Sequence, residues 1–73
     1  MDVSIIGGAG HVGLPLGVSL ADSGYEVALI DKDEAKLERI QQGQSPFNEP
    51  GMEPLLQTAI NEGRICTSTD FTP

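Results

Sequence analysis

Apolar residues in this chain fall into short runs that are separated by stretches with helical periodicity. The first run predicts a strand over residues 2–6, and the second predicts a strand from Tyr25 to Ile30. The second run is mostly apolar, as is typical of a parallel strand buried on both faces. A third strand, Arg64–Ser68, is assigned from its position, because only Ile65 and Cys66 within it are apolar.

The first predicted helix runs from about His11 to Ser23 and ends at Gly24, which suits a left-handed helix terminus. Pro15 lies near the end of the first turn of this helix. Its missing N–H costs little if the helix begins at Val12 and more if it begins at Gly10, and we expect the first turn to be perturbed. The apolar positions predicted to face the sheet are Val12, Leu16, Leu20, Val18 and Ala21.

A second helix follows the second strand. Asp33 is a predicted N-cap, and Leu37 and Ile40 are predicted to face inward. This helix is expected to run to about Gln42 and to stop at Gly43.

Residues 43–51 break the periodicity and predict a loop, in which Phe47 is the only large apolar residue. A third helix is expected from near Gly51, with Pro54 in its first turn, and Gly63 ends it. Its apolar stripe has helical spacing and consists of Met52, Leu55, Leu56, Ala59 and Ile60.

The predicted order is β-α-β-α-α-β, and strands joined through helices predict a parallel sheet in the order 3-2-1. This is an α/β fold of Rossmann type, reduced to half a domain. A complete dinucleotide-binding domain has two such halves, so residues 1–73 are interpreted as the N-terminal half of a longer enzyme's cofactor domain. The first strand would have a free edge, and we expect self-association there.

The stretch between the first two strands carries candidate chemistry. Gly8, Gly10 and Gly13 match G-x-G-x-x-G directly after the first strand and before a helix. Gly8 is expected to permit the turn, Gly10 to let the backbone approach a pyrophosphate, and Gly13 to let the helix lie close to the strand. Gly17, one turn later, is expected to extend the same small-residue face. The helix N-terminus favours a phosphate. Asp31 ends the second strand, where a carboxylate binds both ribose hydroxyls and repels a 2′-phosphate, so NAD is predicted rather than NADP.

Composition narrows the classes of partner. With 4 basic and 11 acidic residues the net charge is −7, which argues against nucleic acid and anionic membranes, since both require clustered Lys and Arg. One cysteine gives no disulfide framework and no metal cluster. The chain shows no signal peptide and no apolar run of membrane-spanning length, so we expect a cytoplasmic protein.

Two segments together carry a family likeness. GGAGHVGLPL at residues 7–16 and SPFNEPGMEPLL at residues 45–56 resemble the N-terminal part of the UDP-glucose/GDP-mannose dehydrogenase family. The GHVGLP form and the E-P-G before an extra helix look most like the members that oxidise UDP-N-acetylmannosamine. The glycine motif alone is shared by many dehydrogenases, so the E-P-G loop and the extra helix are what narrow the resemblance.

The resemblance implies an oxidoreductase that converts the C6 alcohol of a nucleotide sugar, UDP-N-acetylmannosamine or UDP-glucose, to a carboxylate with two NAD+. The catalytic cysteine and its lysine, asparagine and aspartate partners come from later segments in the family. We therefore expect this chain alone to be inactive and to contribute only cofactor binding.

The resemblance also implies roles for individual residues. Gly8, Gly10, His11, Val12 and Gly13 would line the pyrophosphate. Asp31 would bind the adenosine ribose, and Lys36 matches a basic position that the family places beside the same ribose. Many members have an aromatic residue at the position of His11.

Simpler interpretations stay open at several positions. Either the His11 ring or only its backbone serves a phosphate, and Lys36 either contacts the ribose or is a solvated helix residue. Glu49 either shapes the cleft or stabilises the third helix through its charge. Cys66 is interpreted as a small buried hydrophobe, and residues 31–34 are not interpreted as a metal site.

Two other functions compete with the sugar dehydrogenase. One is another NAD dehydrogenase, of the 3-hydroxyacyl or 6-phosphogluconate type. The E-P-G loop argues against this alternative. The other is a non-catalytic module that senses NAD or has a structural role. A downstream cysteine with lysine and asparagine partners would support the sugar dehydrogenase.

Overall fold

The computed structural model describes residues 2–47 and 49–70. The elements in chain order are β1 (Val3–Ile6), α1 (Gly13–Asp22), β2 (Val27–Ile30), α2 (Glu34–Gln41), α3 (Met52–Asn61) and β3 (Ile65–Ser68). The strands form a parallel sheet in the order β1-β2-β3, with Ile5 opposite Leu29 and Leu29 opposite Thr67. The predicted α/β topology and strand order are confirmed.

The helices pack on one face of this sheet. Val27 and Leu29 are fully buried on that face, and buried residues from all three helices join them in one cluster. The burial of β1 alternates along the strand, and Ile6 on the opposite face is 64% exposed. Within the described residues, the second helix layer of a complete Rossmann-type domain is therefore not represented.

The predicted sheet-facing stripe of α1 is wrong in part. Val12 is 79% exposed and Leu16 is 50% exposed, whereas Leu14 is fully buried. The cause is Gly17, where a Cβ would lie 2.6 Å from the Leu29 Cδ2 atom, so the helix approaches the sheet through a residue without a side chain. The buried face of α1 is centred on that glycine and consists of Leu14, Gly17, Val18 and Ala21.

The start of α1 also differs from the prediction. The helix begins at Gly13 rather than at His11, with Val12 at the N-cap. Pro15 is then the third helical residue, where a backbone N–H has no intrahelical acceptor in any case. The Leu16 N–H already donates to the Val12 carbonyl at 3.2 Å, so the first turn accommodates the proline.

Each of the three helices ends at the glycine that the sequence predicts. At the end of α1, the Tyr25 N–H donates to the Leu20 carbonyl at 3.1 Å, and the Gly24 N–H donates to the Ala21 carbonyl at 3.0 Å. This pair of bonds is a Schellman motif, which requires a positive φ at the glycine. The same pairing recurs after α2 at Gly43 and after α3 at Gly63.

The predictions for α2 hold, and the predicted apolar stripe of α3 holds except that Leu55 is exposed and Ile60 is only partly buried. Asp33 caps α2, since its Oδ1 accepts the Lys36 N–H at 3.1 Å. In α3, Leu55 is 46% exposed and does not belong to the buried stripe, which consists of Met52, Leu56 and Ala59.

Candidate functional site

The segment after β1, residues 7–13, forms a turn that we call the glycine loop. Gly7 has a φ of +76° and makes the turn, a role that the sequence analysis assigned to Gly8. At Gly8, a Cβ would lie 2.7 Å from the Leu29 Cβ and 2.8 Å from the Leu29 Cα. Gly8 is therefore required by close packing against β2, and the Gly-Gly pair is the sequence signal that the turn begins one residue earlier.

The next two glycines have separate constraints. A Cβ on Gly10 would approach one neighbouring atom, the Gly7 carbonyl oxygen at 3.2 Å, so the space around that position is otherwise open. A Cβ on Gly13 would collide with that same carbonyl oxygen and would lie 3.1 Å from the Gly8 Cα. Gly13 thus lets the start of α1 lie against Gly7 and Gly8, whereas the sequence analysis expected the close approach to be to the strand, and Gly10 leaves room for a close ligand.

The N-terminus of α1 presents unpaired hydrogen-bond donors. Within residues 2–47 and 49–70, the N–H groups of His11, Val12 and Gly13 have no acceptor, and the first turn of α1 contains no acidic residue. Consecutive free N–H groups at a helix N-terminus, with the positive end of the helix dipole behind them, bind phosphate groups. This arrangement fits the pyrophosphate of a dinucleotide.

Asp31 follows β2 and is joined to the glycine loop. Its Oδ2 accepts the N–H of Ala9 at 3.1 Å, and its Oδ1 accepts the N–H of Asp33 at 3.0 Å. The two parallel strands end at the same edge of the sheet, which is why the residue after β2 meets the loop after β1. Each carboxylate oxygen accepts more than one hydrogen bond, so Asp31 retains capacity for ribose hydroxyls.

The environment of Asp31 favours its charged form. The hydrogen bond from the Asp33 N–H is the largest cause that holds the pKa of Asp31 below its ordinary value. The Ala9 N–H, the Lys32 N–H and the Lys36 charge act in the same direction, and partial burial opposes them. A carboxylate that stays ionised accepts hydrogen bonds without donating any, which suits a ribose diol.

Lys36 lies in the first turn of α2. Its Nζ is 4.0 Å from the Asp33 Oδ2, and both side chains are exposed. Such an exposed i,i+3 ion pair is worth only about 0.2–0.5 kcal/mol, so Lys36 is free to turn to another partner. Its charge is the smallest of the causes that lower the pKa of Asp31.

His11 and Phe47 bring two distant segments together. Their ring centroids are 4.3 Å apart and the rings are inclined by 27°, a stacked arrangement. His11 is exposed on the glycine loop, whereas Phe47 is half-buried and packs against the core. The sequence analysis identified Phe47 only as the large apolar residue of its loop and did not predict this ring contact.

The remaining candidates have lesser parts. Glu53, rather than Glu49, is the acidic residue in the first turn of α3. Cys66 has a free thiol on β3 and is half-buried, whereas the sequence analysis interpreted it as a small buried hydrophobe. In the part of the chain that the structure describes, no three His, Cys, Asp or Glu side chains are grouped as metal ligands, and no helix has the length and apolarity to cross a membrane.

Comparison with known proteins also indicates a dinucleotide-binding domain. The family model for the UDP-glucose/GDP-mannose dehydrogenase family, NAD binding domain, matches residues 1–73. UDP-glucose 6-dehydrogenase from Rhizobium meliloti is 41% identical over 71 residues, which cover 97% of this chain and 16% of the relative. GDP-mannose 6-dehydrogenase from Pseudomonas putida is 44% identical with the same coverage. The chain thus spans about a sixth of the length of these relatives.

Solved structures agree in fold. A ternary complex of GDP-mannose dehydrogenase from Pseudomonas aeruginosa superposes with a TM-score of 0.91 and 42% identity, covering 97% of this chain and 16% of that one. UDP-N-acetyl-mannosamine dehydrogenase from Staphylococcus aureus gives a TM-score of 0.88 at 27% identity, over 100% of this chain and 17% of that one. The glycine loop, the acidic residue after β2 and these matches together show that the chain belongs to the UDP-glucose/GDP-mannose dehydrogenase family, in its NAD-binding domain.

Proposed function

We propose that this chain is the cofactor-binding part of a nucleotide-sugar 6-dehydrogenase, which oxidises the C6 alcohol of its sugar to a carboxylate with two NAD+. The observation that carries the proposal is the pairing of three unpaired N–H groups at the start of α1 with Asp31 at the end of β2. These two features suit the pyrophosphate and the adenosine ribose of one dinucleotide.

The proposed cofactor site consists of the glycine loop and the end of β2. The N–H groups of residues 11–13 would bind the pyrophosphate, and Gly8, Gly10 and Gly13 give the loop its close packing and its open side. Asp31 would accept both ribose hydroxyls, and Lys36 would leave its exposed pair with Asp33 to reach the same sugar. When bound, NAD+ supplies the hydride acceptor, and these residues bind and orient it.

The uncovered face of the sheet supports a proposal about the extent of the domain. Residues 1–73 are proposed to be the N-terminal half of a Rossmann-type domain whose second half pairs with β1 and covers the free face. Ile6, 64% exposed on the edge strand, belongs to the surface that would be covered.

The isolated chain is proposed to self-associate at the free edge of β1. Light scattering that shows only monomer at high concentration would contradict that self-association.

The substrate is proposed to be a nucleoside-diphosphate sugar. The resemblance of GHVGLP and E-P-G to enzymes of UDP-N-acetylmannosamine favours a UDP-sugar. Sequence identity does not favour UDP-N-acetylmannosamine over the other substrates. The UDP-glucose and GDP-mannose enzymes are 41% and 44% identical to this chain, and the UDP-N-acetyl-mannosamine enzyme is 27% identical. UDP-glucose and UDP-N-acetylmannosamine are therefore the first two substrates to assay, with GDP-mannose as the third.

The test is NADH formation from each of these three sugar nucleotides. A complete protein that carries this chain should reduce two NAD+ per sugar for one of them, and the 73-residue chain alone should reduce none. A complete protein inactive with all three, yet active on a 3-hydroxyacyl or 6-phosphogluconate substrate, would contradict the proposed substrate class. NADH production by the isolated chain would contradict the assignment of catalysis to other segments.

A further inference from the structure

The glycine loop is bonded to its neighbours on both sides of His11. Ala9 is bonded to Asp31, and the carbonyls of Gly10 and Val12 accept N–H groups of α1 at 3.1 and 3.2 Å. In the described part of the chain, His11 between them makes no hydrogen bond or ion pair, and its ring contact with Phe47 joins the loop to the segment before α3.

Phe47 is itself fixed to α3. The Ser45 hydroxyl donates to the Phe47 carbonyl at 2.6 Å, and the Ser45 N–H donates to the Glu53 Oε2 at 3.0 Å. The Phe47 ring packs against the hydrophobic core. A chain of contacts therefore runs from the first turn of α3 through Ser45 and Phe47 to His11.

A glycine-rich loop loses much conformational entropy when it binds a ligand, and a contact that orders it beforehand lowers that loss. We propose that Phe47 is a positioning residue for the dinucleotide site, whose ring holds His11 and thereby keeps the N–H groups of residues 11–13 ready for a pyrophosphate. The inference rests on the proposed function in that the ligand is taken to be NAD+.

Amide hydrogen exchange in the free chain tests the ordering without any ligand. The Ala9 N–H donates to the Asp31 carboxylate and the Gly10 N–H donates to the Gly7 carbonyl at 3.0 Å, so the exchange rates of both report the opening of the loop. F47L, which keeps an apolar side chain but removes the ring, should speed their exchange by about two- to tenfold, the range expected for an aromatic pair. F47Y, which keeps the ring, should restore the original rate, and the Arg64 N–H behind α3 should exchange alike in all variants.

NAD+ affinity is the second measurement. F47L and H11L should each weaken binding by about two- to tenfold, and the double variant should lose no more than either alone, since both remove the same contact. Tyr25→Leu is the matched control, because this exposed ring lies at the opposite end of β2 from the glycine loop. Y25L should bind NAD+ like the unchanged chain.

The outcomes separate the two claims. Unchanged exchange at Ala9 and Gly10 in both F47L and H11L would overturn the positioning role, whatever the affinity for NAD+. H11L removes an exposed ring, so it decides the matter even where F47L fails to fold. A chain that shows the exchange effect but does not bind NAD+ would keep the positioning role and contradict the proposed cofactor site.

Discussion

Gly8 and Gly10 belong to the same motif, but different neighbours restrict them. A Cβ at Gly8 would strike the backbone and Cβ of Leu29, whereas a Cβ at Gly10 would approach only the Gly7 carbonyl oxygen. We predict that G8A lowers the free energy of unfolding by about 1–3 kcal/mol, as overpacking does. G10A should unfold near the same urea concentration as the unchanged chain but should bind NAD+ at least tenfold more weakly, because the added methyl occupies the side open to the ligand.

Urea unfolding and an NAD+ titration of both variants check this contrast. G10A with unchanged NAD+ affinity would contradict the proposed place of the pyrophosphate. G8A with unchanged stability would contradict the close packing of the loop on β2.

Asp31 should decide between the two nicotinamide cofactors. In D31N, the loss of charge-assisted hydrogen bonds to the ribose should weaken NAD+ binding by about tenfold or more, and the repulsion of a 2′-phosphate should fall. The ratio of NADP+ to NAD+ affinity should therefore rise. D2N is the control, because Asp2 accepts the Glu26 N–H at 2.9 Å at the other end of the sheet. A ratio that rises equally in D2N and D31N would count against the ribose role.

Asp31 should also contribute to the acid sensitivity of the fold. Its pKa is lowered in the folded chain, so its contribution to stability is complete above the ordinary carboxylate pKa of about 3.9 and is lost as pH falls through the folded value. Below about pH 4, the free energy of unfolding of the unchanged chain should fall more steeply than that of D31N. Urea unfolding between pH 5 and pH 2 measures both slopes, and parallel slopes would contradict the lowered pKa.

At the scale of elements, α1 offers the clearest contrast between an apolar pattern and true burial. Leu14 is fully buried and Leu16 is 50% exposed, two residues further along the same helix. L14A should lower the free energy of unfolding by about 2–5 kcal/mol, and L16A by less than about 1 kcal/mol. Since a chain of this length has a total stability of only about 4–11 kcal/mol, L14A should leave it close to unfolding.

Thermal and urea unfolding of L14A and L16A decide which face of α1 is inward. Equal losses in the two variants, or a larger loss in L16A, would show that α1 has the orientation first predicted from its apolar spacing.

The order of elements could be predicted because it depends on local signals. Apolar runs, the Asp33 cap and the terminal glycines at 24, 43 and 63 each act within a few residues, and each is confirmed. The face of α1 was predicted only in part. Gly17 was expected on a small-residue face against the strand, as found, but the apolar spacing placed Val12 and Leu16 inward, and both are exposed. The stacking of His11 on Phe47 joins positions far apart in sequence, so it required the folded chain.

At the scale of the whole molecule, the negative net charge of the chain opposes the binding of an anionic ligand. The chain carries a net charge of −7 and is nevertheless assigned to a domain that binds an anionic dinucleotide. The conflict is resolved locally, because the first turn of α1 has no acidic residue and the donors there are backbone N–H groups. The glycine loop and the end of β2 meet at one edge of the sheet, and Phe47 contacts the glycine loop through its ring stacked on His11.

An amide-NMR titration of the chain with NAD+, with NADP+ as the control, tests the cofactor site most directly. The account predicts concentration-dependent shifts at Gly8–Gly13 and at Asp31, larger with NAD+ than with NADP+, while resonances at the opposite end of the sheet, such as Tyr25 and Glu26, stay in place. A well-dispersed spectrum that responds at none of these positions, or that responds equally to both dinucleotides, would contradict it.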